Sequence, residues 1–257
     1  MSPFQDLLIG LSNVQLWYYL AKFDIRGRYR RTILGPLWTS LNALIFVLII
    51  ATVYAQFSNQ SIREFLPYVS AGYFIWIYIS TTAIESCTVY FTSGSFLKNS
   101  PLSPVIFNMR VVVRNLIVFL HSLAVFIPIA YLSDISFKQF FWIIPGIIVL
   151  SAMCLCGSII LSVMCSRYRD IEQLVNSIFL AAFFVTPILY DVKILTNEPS
   201  LMKYNIFTHM INIIREPMLG QSPNMFSYIV CLCLLGVGIF AAILIYRLGR
   251  KRLFLWI

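Results

Sequence analysis

Charge is scarce in this sequence, and acidic residues are the rarer kind. Only 11% of the 257 residues are charged, with 19 Lys and Arg against 10 Asp and Glu, while 60% are hydrophobic. Soluble domains carry about 25% charged residues, and a soluble fold of this size could not hide so much apolar surface from water. The composition therefore excludes a water-soluble protein and predicts an integral membrane protein.

Several signatures of chemistry are also missing. The sequence has no G-x-x-x-x-G-K-[ST] phosphate loop, no G-x-S-x-G, no H-E-x-x-H and no C-x-x-C pair, which are the usual marks of nucleotide, nucleophile and metal sites. Its two histidines, His121 and His209, lie far apart in the sequence. We therefore expect no catalytic residue, no metal site and no cofactor bound by this chain.

Six stretches with little or no charge are long enough to cross a bilayer, which requires about 20 mainly apolar residues. They lie at 32–62, 65–97, 115–133, 139–166, 173–190 and 217–246. Since lipid-exposed backbone must satisfy its own hydrogen bonds, each span is expected to be a helix. The sequence thus predicts an all-α integral membrane protein with six transmembrane helices in a single domain, 1–257.

The regions flanking these spans complete the predicted domain. Apolar residues at a helical spacing, Phe4, Leu7, Leu8, Leu11 and Tyr18, predict an N-terminal amphipathic helix in the interface of the membrane. The stretch Ile206–Ile214 is too short to span and suits a re-entrant or interfacial helix. The expected parts are 1–31 (amphipathic helix and basic segment), 32–190 (spans one to five), 191–225 (outer re-entrant segment) and 226–257 (span six and basic tail).

Positive charge is unevenly divided between the two sides that six spans define. Of the 19 basic residues, 14 fall on the side of the chain termini and 5 on the other. Because Lys and Arg collect in cytoplasmic loops, both termini are expected to be cytoplasmic. The net charge of +9 then needs no nucleic acid partner, since the basic residues flank the spans.

Two features stand out within this pattern. Glu85 is the one acid placed well inside a predicted span, and an intramembrane charge is costly unless it is paired with an opposite charge or hydrated. Arg114 lies at a similar distance from the turn between spans two and three, so we expect an intramembrane pair of Glu85 and Arg114, with a water-filled vestibule around Glu85 as the alternative. The densest basic cluster precedes span one, at Arg26, Arg28, Arg30 and Arg31.

That cluster opens a segment, RYRRTILGPLW (28–38), which resembles the start of span one in permeases of polysaccharide ATP-binding cassette (ABC) exporters, the ABC-2 type group that serves O-antigen, capsule and teichoic acid. Four further segments resemble this family in the same order: FLKNSPLSP (96–104), SRYRDI (166–171), TPILY (186–190) and YNIFTHMINIIREPMLG (204–220). The chain departs from the family at Ile206 and Asp191, where proline is common.

The resemblance implies a homodimer with two ATP-binding cassette subunits that carry ATP and Mg²⁺. It implies export of a polyprenyl-linked polysaccharide through the inner (cytoplasmic) membrane of a bacterium, in a path lined by spans one and five. The residues it implies for that path are Tyr54, Phe183, Phe184 and Tyr190. Those it implies for the helix that docks on the ATPase are Phe96, Leu97, Lys98, Asn99, Ser100 and Pro101.

The basic cluster has two interpretations within this family. Arginine binds phosphate oxygens through paired donors, so the cluster is a candidate site for a lipid pyrophosphate, or it only fixes the membrane topology. Two other functions were considered for the chain. One is an ABC-2 permease for a drug or small lipid, and the other is a membrane-embedded glycosyl or phosphoryl transferase, which would need clustered acids or histidines at a membrane face.

Overall fold

The structure is a computed structural model, and it describes residues 3–58, 61–100, 102–190 and 204–256. These residues fold into helices, with no strand among them, as the sequence predicts. The helices are α1 (Pro3–Ser12), α2 (Val14–Arg28), α3 (Leu37–Ser58), α4 (Ile62–Thr92), α5 (Gly94–Asn99), α6 (Val105–Leu132), α7 (Ile143–Arg167), α8 (Ile171–Val185), α9 (Ile206–Met218) and α10 (Met225–Trp256), with a 3₁₀ helix at Phe137–Trp142 before α7.

Helix α4 is the centre of the bundle and packs against α3, α6, α7, α8 and α9. Half of its residues are buried, including large side chains such as Phe74, Trp76 and Tyr78. Its hydroxyls are satisfied across the core: Tyr78 donates to Ser151 at 3.0 Å and Ser86 donates to Ser158 at 2.7 Å. Because its neighbours cover it, α4 tolerates a polar content that a lipid-facing span would not.

Among the residues that the structure describes, four helical segments are long and apolar enough to cross a membrane on their own composition: 37–54, 105–132, 137–167 and 225–250. Helix α4 has 31 residues, so it is long enough but more polar, and α8 is apolar but has only 15 residues. The chain is thus a multi-pass membrane protein, while the total of six spans stays a prediction.

Two predicted span starts differ most from the starts of the helices. Helix α6 begins at Val105 rather than near Asn115, so Arg110 and Arg114 lie within it, because their charges are compensated and do not end the helix. Helix α10 begins at Met225 rather than at Pro217. Pro217 belongs to α9, and a turn with Gly220 at φ +72° separates α9 from α10.

The two ends of the bundle are tied by different contacts. At one end, Asp6 of α1 accepts hydrogen bonds from Tyr246 and, at 2.7 Å, from Arg250, both in α10. At the other end, Arg63 at the start of α4 pairs at 2.5 Å with Asp134 just after α6. The first end carries α1, α2, α5 and the end of α10 with most of the basic residues. We call it the inner end, and the opposite one the outer end.

Helix α9 dips into the bundle from the outer end. Its first turn reaches Trp76, whose ring lies 5.3 Å from the Phe207 ring, and Trp76 is 14 residues into α4 from Ile62, or roughly 20 Å along the helix axis. Its far end returns to the outer turns, where Gly220 lies against Ser136. A short buried helix thus covers the stretch that the sequence predicts to be re-entrant or interfacial.

Candidate functional site

An ionic cluster joins the N-terminal segment to the membrane helices at the inner end. Glu85 of α4 accepts a hydrogen bond from Arg28 Nη2 at 2.7 Å through Oε1, and from Arg114 Nη2 and Asn115 Nδ2, the latter at 2.8 Å, through Oε2. The structure therefore brings Glu85 and Arg114 together, as expected, and adds Arg28 as a second cation. Charged partners on both oxygens compensate this carboxylate in a place where an unpaired charge would be costly.

The cluster continues onto helix α2. Asp24 Oδ2 lies 2.9 Å from Arg114 Nη1 and 3.2 Å from Arg110 Nε. Arg114 thus bridges one acid on α2 and one on α4, and its own side chain is only 9% exposed. An open cleft of about 390 Å³ lies beside these groups, between α2, α4 and α6.

Arg28 sits at the rim of this cleft, outside the membrane-spanning segments. Burial lowers the pKa of its guanidinium, but the hydrogen bond and the charge of Glu85 outweigh burial, so the pKa is raised above its ordinary value. The other arginines of the cluster, Arg26, Arg30 and Arg31, are exposed and make no ion pair with a residue that the structure describes. Three guanidinium groups are therefore available to an anion at this surface.

The chain turns sharply between α2 and α3. Arg31 has φ +67° and Gly35 has φ +55°, and the Tyr29 hydroxyl lies 2.5 Å from that of Thr39 across the turn. This turn brings the basic cluster to the start of α3, where Ile33, Leu34 and Trp38 are exposed. Basic and apolar groups thus face outward together, as they would at a headgroup boundary.

The predicted docking helix is a separate element at the inner end. In α5, Leu97 is 2% exposed and packs into the core, whereas Phe96 is 58% exposed. Lys98 and Asn99 are also exposed and Ser100 is half-buried, while Pro101 lies outside the described residues. One buried anchor with exposed neighbours is the arrangement expected of a short helix that offers its free face to another protein.

The aromatic residues predicted for the path fall into two places. Phe183 and Phe184 of α8 contact each other with ring centroids 5.4 Å apart, and Phe183 also contacts Tyr73 and Trp76 of α4 at 6.0 and 5.9 Å. Tyr73 in turn stacks on Phe46 of α3 at 4.6 Å. The rings of Phe46, Tyr73, Trp76 and Phe183, together with Phe179, line a groove of about 340 Å³ that α3 and α8 flank and α4 closes; Phe184 contacts Phe183 but does not line it.

Tyr54 and Tyr190 lie nearer the outer end. The Tyr54 ring stacks on Phe65 of α4 with centroids 6.2 Å apart. Tyr190 follows α8 in the TPILY segment, and its carbonyl and that of Pro187 accept from the Tyr68 hydroxyl at 3.3 and 3.2 Å. The structure thus places Tyr54 on α3, Phe183 and Phe184 on α8 and Tyr190 just after α8, and the rings of Phe183 and Phe184 contact each other.

A buried arginine that the sequence did not single out holds the TPILY segment. Arg215 of α9 is 5% exposed, donates to the Pro187 carbonyl at 2.7 Å and to Asn212 Oδ1 at 2.6 Å, and lies 4.3 Å from the centre of the Tyr68 ring. Asn205 adds a bond from Nδ2 to Thr186 Oγ1 at 3.1 Å and caps α9 by accepting from Phe207 N. An asparagine side chain thus caps the first turn of this helix.

Sequence reasoning also missed Asp24, Arg110 and the α4 rings Tyr73 and Trp76. Asp24 did leave a signal: it is the sole acid of α2 and stands four residues before Arg28, so both lie on one helix face. The α4 aromatics left none, because interfacial belts have the same composition. Only the packing of α3 and α8 on α4 distinguishes them.

Comparison with known proteins gives one family and several relatives. The family described as "ABC-2 type transporter" matches residues 15–219. A Klebsiella pneumoniae protein named "O-antigen export system permease protein RfbA" is 24% identical over 235 residues, covering 90% of this chain and 87% of its own length. A Myxococcus xanthus protein of the same name is 25% identical over 184 residues, 70% of this chain and 69% of its own.

Proposed function

The chain belongs to the ABC-2 type transporter family, and on this premise we propose that it is the membrane subunit of an exporter for lipid-linked, O-antigen-like polysaccharide, driven by ATP hydrolysis on a separate subunit. The observation that carries the proposal is the aromatic groove between α3 and α8, seen in a chain whose relatives are named O-antigen export permeases. Aromatic faces suit the apolar C–H faces of sugar rings, while Tyr hydroxyls suit their rims.

A second copy of the chain would complete the path. Helix α8 contacts α4 and, to a smaller extent, α7, and its other face exposes Leu174, Ile178, Leu180, Phe184 and Val185. Helix α3 likewise exposes Ile45, Ile49 and Val53. In a homodimer with the two grooves facing, both helices would border a shared channel, and the isologous interface would follow from two-fold symmetry.

ATP hydrolysis would act through α5. Two ATP-binding cassette subunits, holding ATP and Mg²⁺, would receive the exposed face that includes Phe96 and Lys98. Since α5 follows α4 directly and is anchored by Leu97, a push on α5 would move α4, the helix that closes the aromatic groove. The ionic cluster of Glu85, Arg114 and Asp24 would make α2 follow the same motion.

The basic surface would receive the lipid end of the substrate. Arg26, Arg30 and Arg31 stand at the inner end beside the start of α3, and guanidinium groups bind phosphate oxygens through paired donors. The positive charge at this end supports cytoplasmic termini in the inner membrane of a bacterium. A polyprenyl pyrophosphate would then dock from the cytoplasmic leaflet with its sugar chain facing the groove.

Reconstitution of the chain with its co-purifying ATP-binding subunit tests this function. Proteoliposomes loaded with a short polyprenyl-pyrophosphate oligosaccharide should expose it to an added glycosidase only when ATP is present, and the chain alone should hydrolyse no ATP. Phe96→Ala should lower ATP-dependent exposure, because it removes a docking side chain. Tyr131→Ala, which removes an exposed aromatic at the outer end, is the matched control. Glycan exposure without ATP, or equal loss in both variants, would contradict the proposal.

A further inference from the structure

A cavity of about 530 Å³ opens at the outer end of the bundle. Its walls are the start of α4 (61–68), the turn after α6 (133–135) and the turn after α9 (219–221). We call it the outer vestibule. It is distinct from the aromatic groove and from the inner cleft, and its size falls in the range of roughly 300–1,000 Å³ typical of ligand pockets.

The vestibule has the two kinds of surface that a sugar requires. Its rim carries the hydroxyls of Ser61 and Ser133, the amide of Gln221 and the carboxylate of Glu64. The Glu64 carboxylate makes no hydrogen bond or ion pair within the part of the chain that the structure describes. Phe65 and Pro67, both buried, and the half-buried Tyr68 complete the lining, so the Tyr68 ring is the apolar face that a sugar would meet among these hydroxyl-binding groups.

The walls are fixed by contacts that leave these groups available. Arg63 Nε donates to the Leu132 carbonyl at 2.7 Å and its Nη2 pairs with Asp134 at 2.5 Å, which ties α4 to α6. In the third wall, the backbone N–H of Gln221 donates to the Glu216 carbonyl at 2.9 Å. The backbone around the cavity is therefore held before any ligand arrives, which lowers the cost of binding.

The vestibule also lies next to residues of the proposed path. Phe65 lines the cavity and stacks on Tyr54, and Tyr68 lines it and donates to the Tyr190 carbonyl. A polymer that passed Tyr54 and Tyr190 toward the outer end would reach this cavity next. One layer of aromatic residues thus separates the vestibule from the path.

We propose that the outer vestibule is a binding subsite for sugar units of the emerging polymer, with a preference for neutral or amino sugars. The preference follows from charge: Arg63 and Asp134 neutralise each other, so Glu64 leaves the site negative, which disfavours acidic sugars. This inference rests on the proposed export function, and it adds a retention site on the far side of the membrane.

Thiol labelling in whole cells tests the subsite. Ser133→Cys and Gln221→Cys place a thiol at two walls of the vestibule, and Ser222→Cys, exposed beside it but not lining it, is the matched control. A charged maleimide that does not cross the cytoplasmic membrane is applied to cells that make the polymer and to cells that cannot. The unsubstituted chain gives the background from its own cysteines.

Polymer should slow labelling at positions 133 and 221 by at least about threefold, the factor 1 + [L]/Kd at a ligand concentration twice its dissociation constant, and leave position 222 unchanged. Adding Glu64→Ala should remove most of that protection. Equal labelling with and without polymer, in a variant that still exports it, would overturn the subsite and leave the export function standing. Absence of export by the unsubstituted chain would refute the function, and the subsite with it.

Discussion

Removing the charge of Glu85 should destabilise the protein far more than removing the charge of an exposed acid. Glu85→Gln leaves Arg114 buried with one acid instead of two and frees Arg28 from α4. Breaking a fully buried pair costs about 3–5 kcal/mol. The side chain of Glu85 is 25% exposed and Asp24 still compensates Arg114, so with solvent screening we expect about 2 kcal/mol.

Asp134→Asn is the control for this prediction. Asp134 pairs with Arg63 at 2.5 Å, but the two side chains are 78% and 61% exposed, and such pairs contribute about 0–1 kcal/mol. Asn also tolerates the positive φ of 54° at this position. Both variants change a carboxylate to an amide of equal size, so the difference between them isolates the effect of burial.

The assay is equilibrium unfolding in mixed micelles with increasing SDS, followed by helical circular dichroism. A double-mutant cycle with Arg114→Met gives the coupling between the two residues. Limited trypsin digestion supplies a second readout, because α2 released from Glu85 should be cut faster at Arg26–Arg31. Equal shifts for Glu85→Gln and Asp134→Asn, or a coupling near zero, would refute the reasoning that this cluster holds α2 to the bundle.

Three further substitutions separate the other elements. Leu97→Ala should cost about 2–3 kcal/mol because it leaves a cavity under α5, and an unchanged SDS midpoint would contradict that anchoring. Arg215→Met should cost about 1–3 kcal/mol by leaving the Pro187 carbonyl buried without its donor, and a stability equal to wild type would show that the TPILY segment does not depend on it. Gly220→Ala should lower the free energy of unfolding by about 1–2 kcal/mol, since φ is +72° and a Cβ would lie 2.8 Å from the Ser136 carbonyl oxygen. Thermal unfolding of this variant at the wild-type temperature would contradict this prediction.

The sequence predicted those parts of the architecture that composition alone determines, namely the helices and the basic end of the bundle. Long uncharged stretches predicted the helices, and charge bias defined one basic end. Charge was a poor guide to where helices begin, since Arg110 and Arg114 lie inside α6 with acidic partners from α2 and α4. Such compensation depends on pairs up to 90 residues apart, which no local pattern reveals.

The site was foreseen only in part for a similar reason. Resemblance pointed to Phe183 and Phe184, yet of these two it is Phe183 that lines the groove, beside Tyr73 and Trp76 from another helix. Arg215 was counted only as an outer loop charge, because nothing in the sequence shows that α9 buries it. Aromatic residues make up 16% of the chain, and tertiary packing, rather than residue type, decides which of them line the groove.

The most direct test of the account is to delete the gene for this chain in the cell that encodes it and to locate the lipid-linked polysaccharide. The account predicts that the polymer disappears from the cell surface, accumulates on polyprenyl pyrophosphate at the cytoplasmic face, and returns to the surface when the chain is restored. Unchanged surface polymer with no accumulation inside the cell would contradict it.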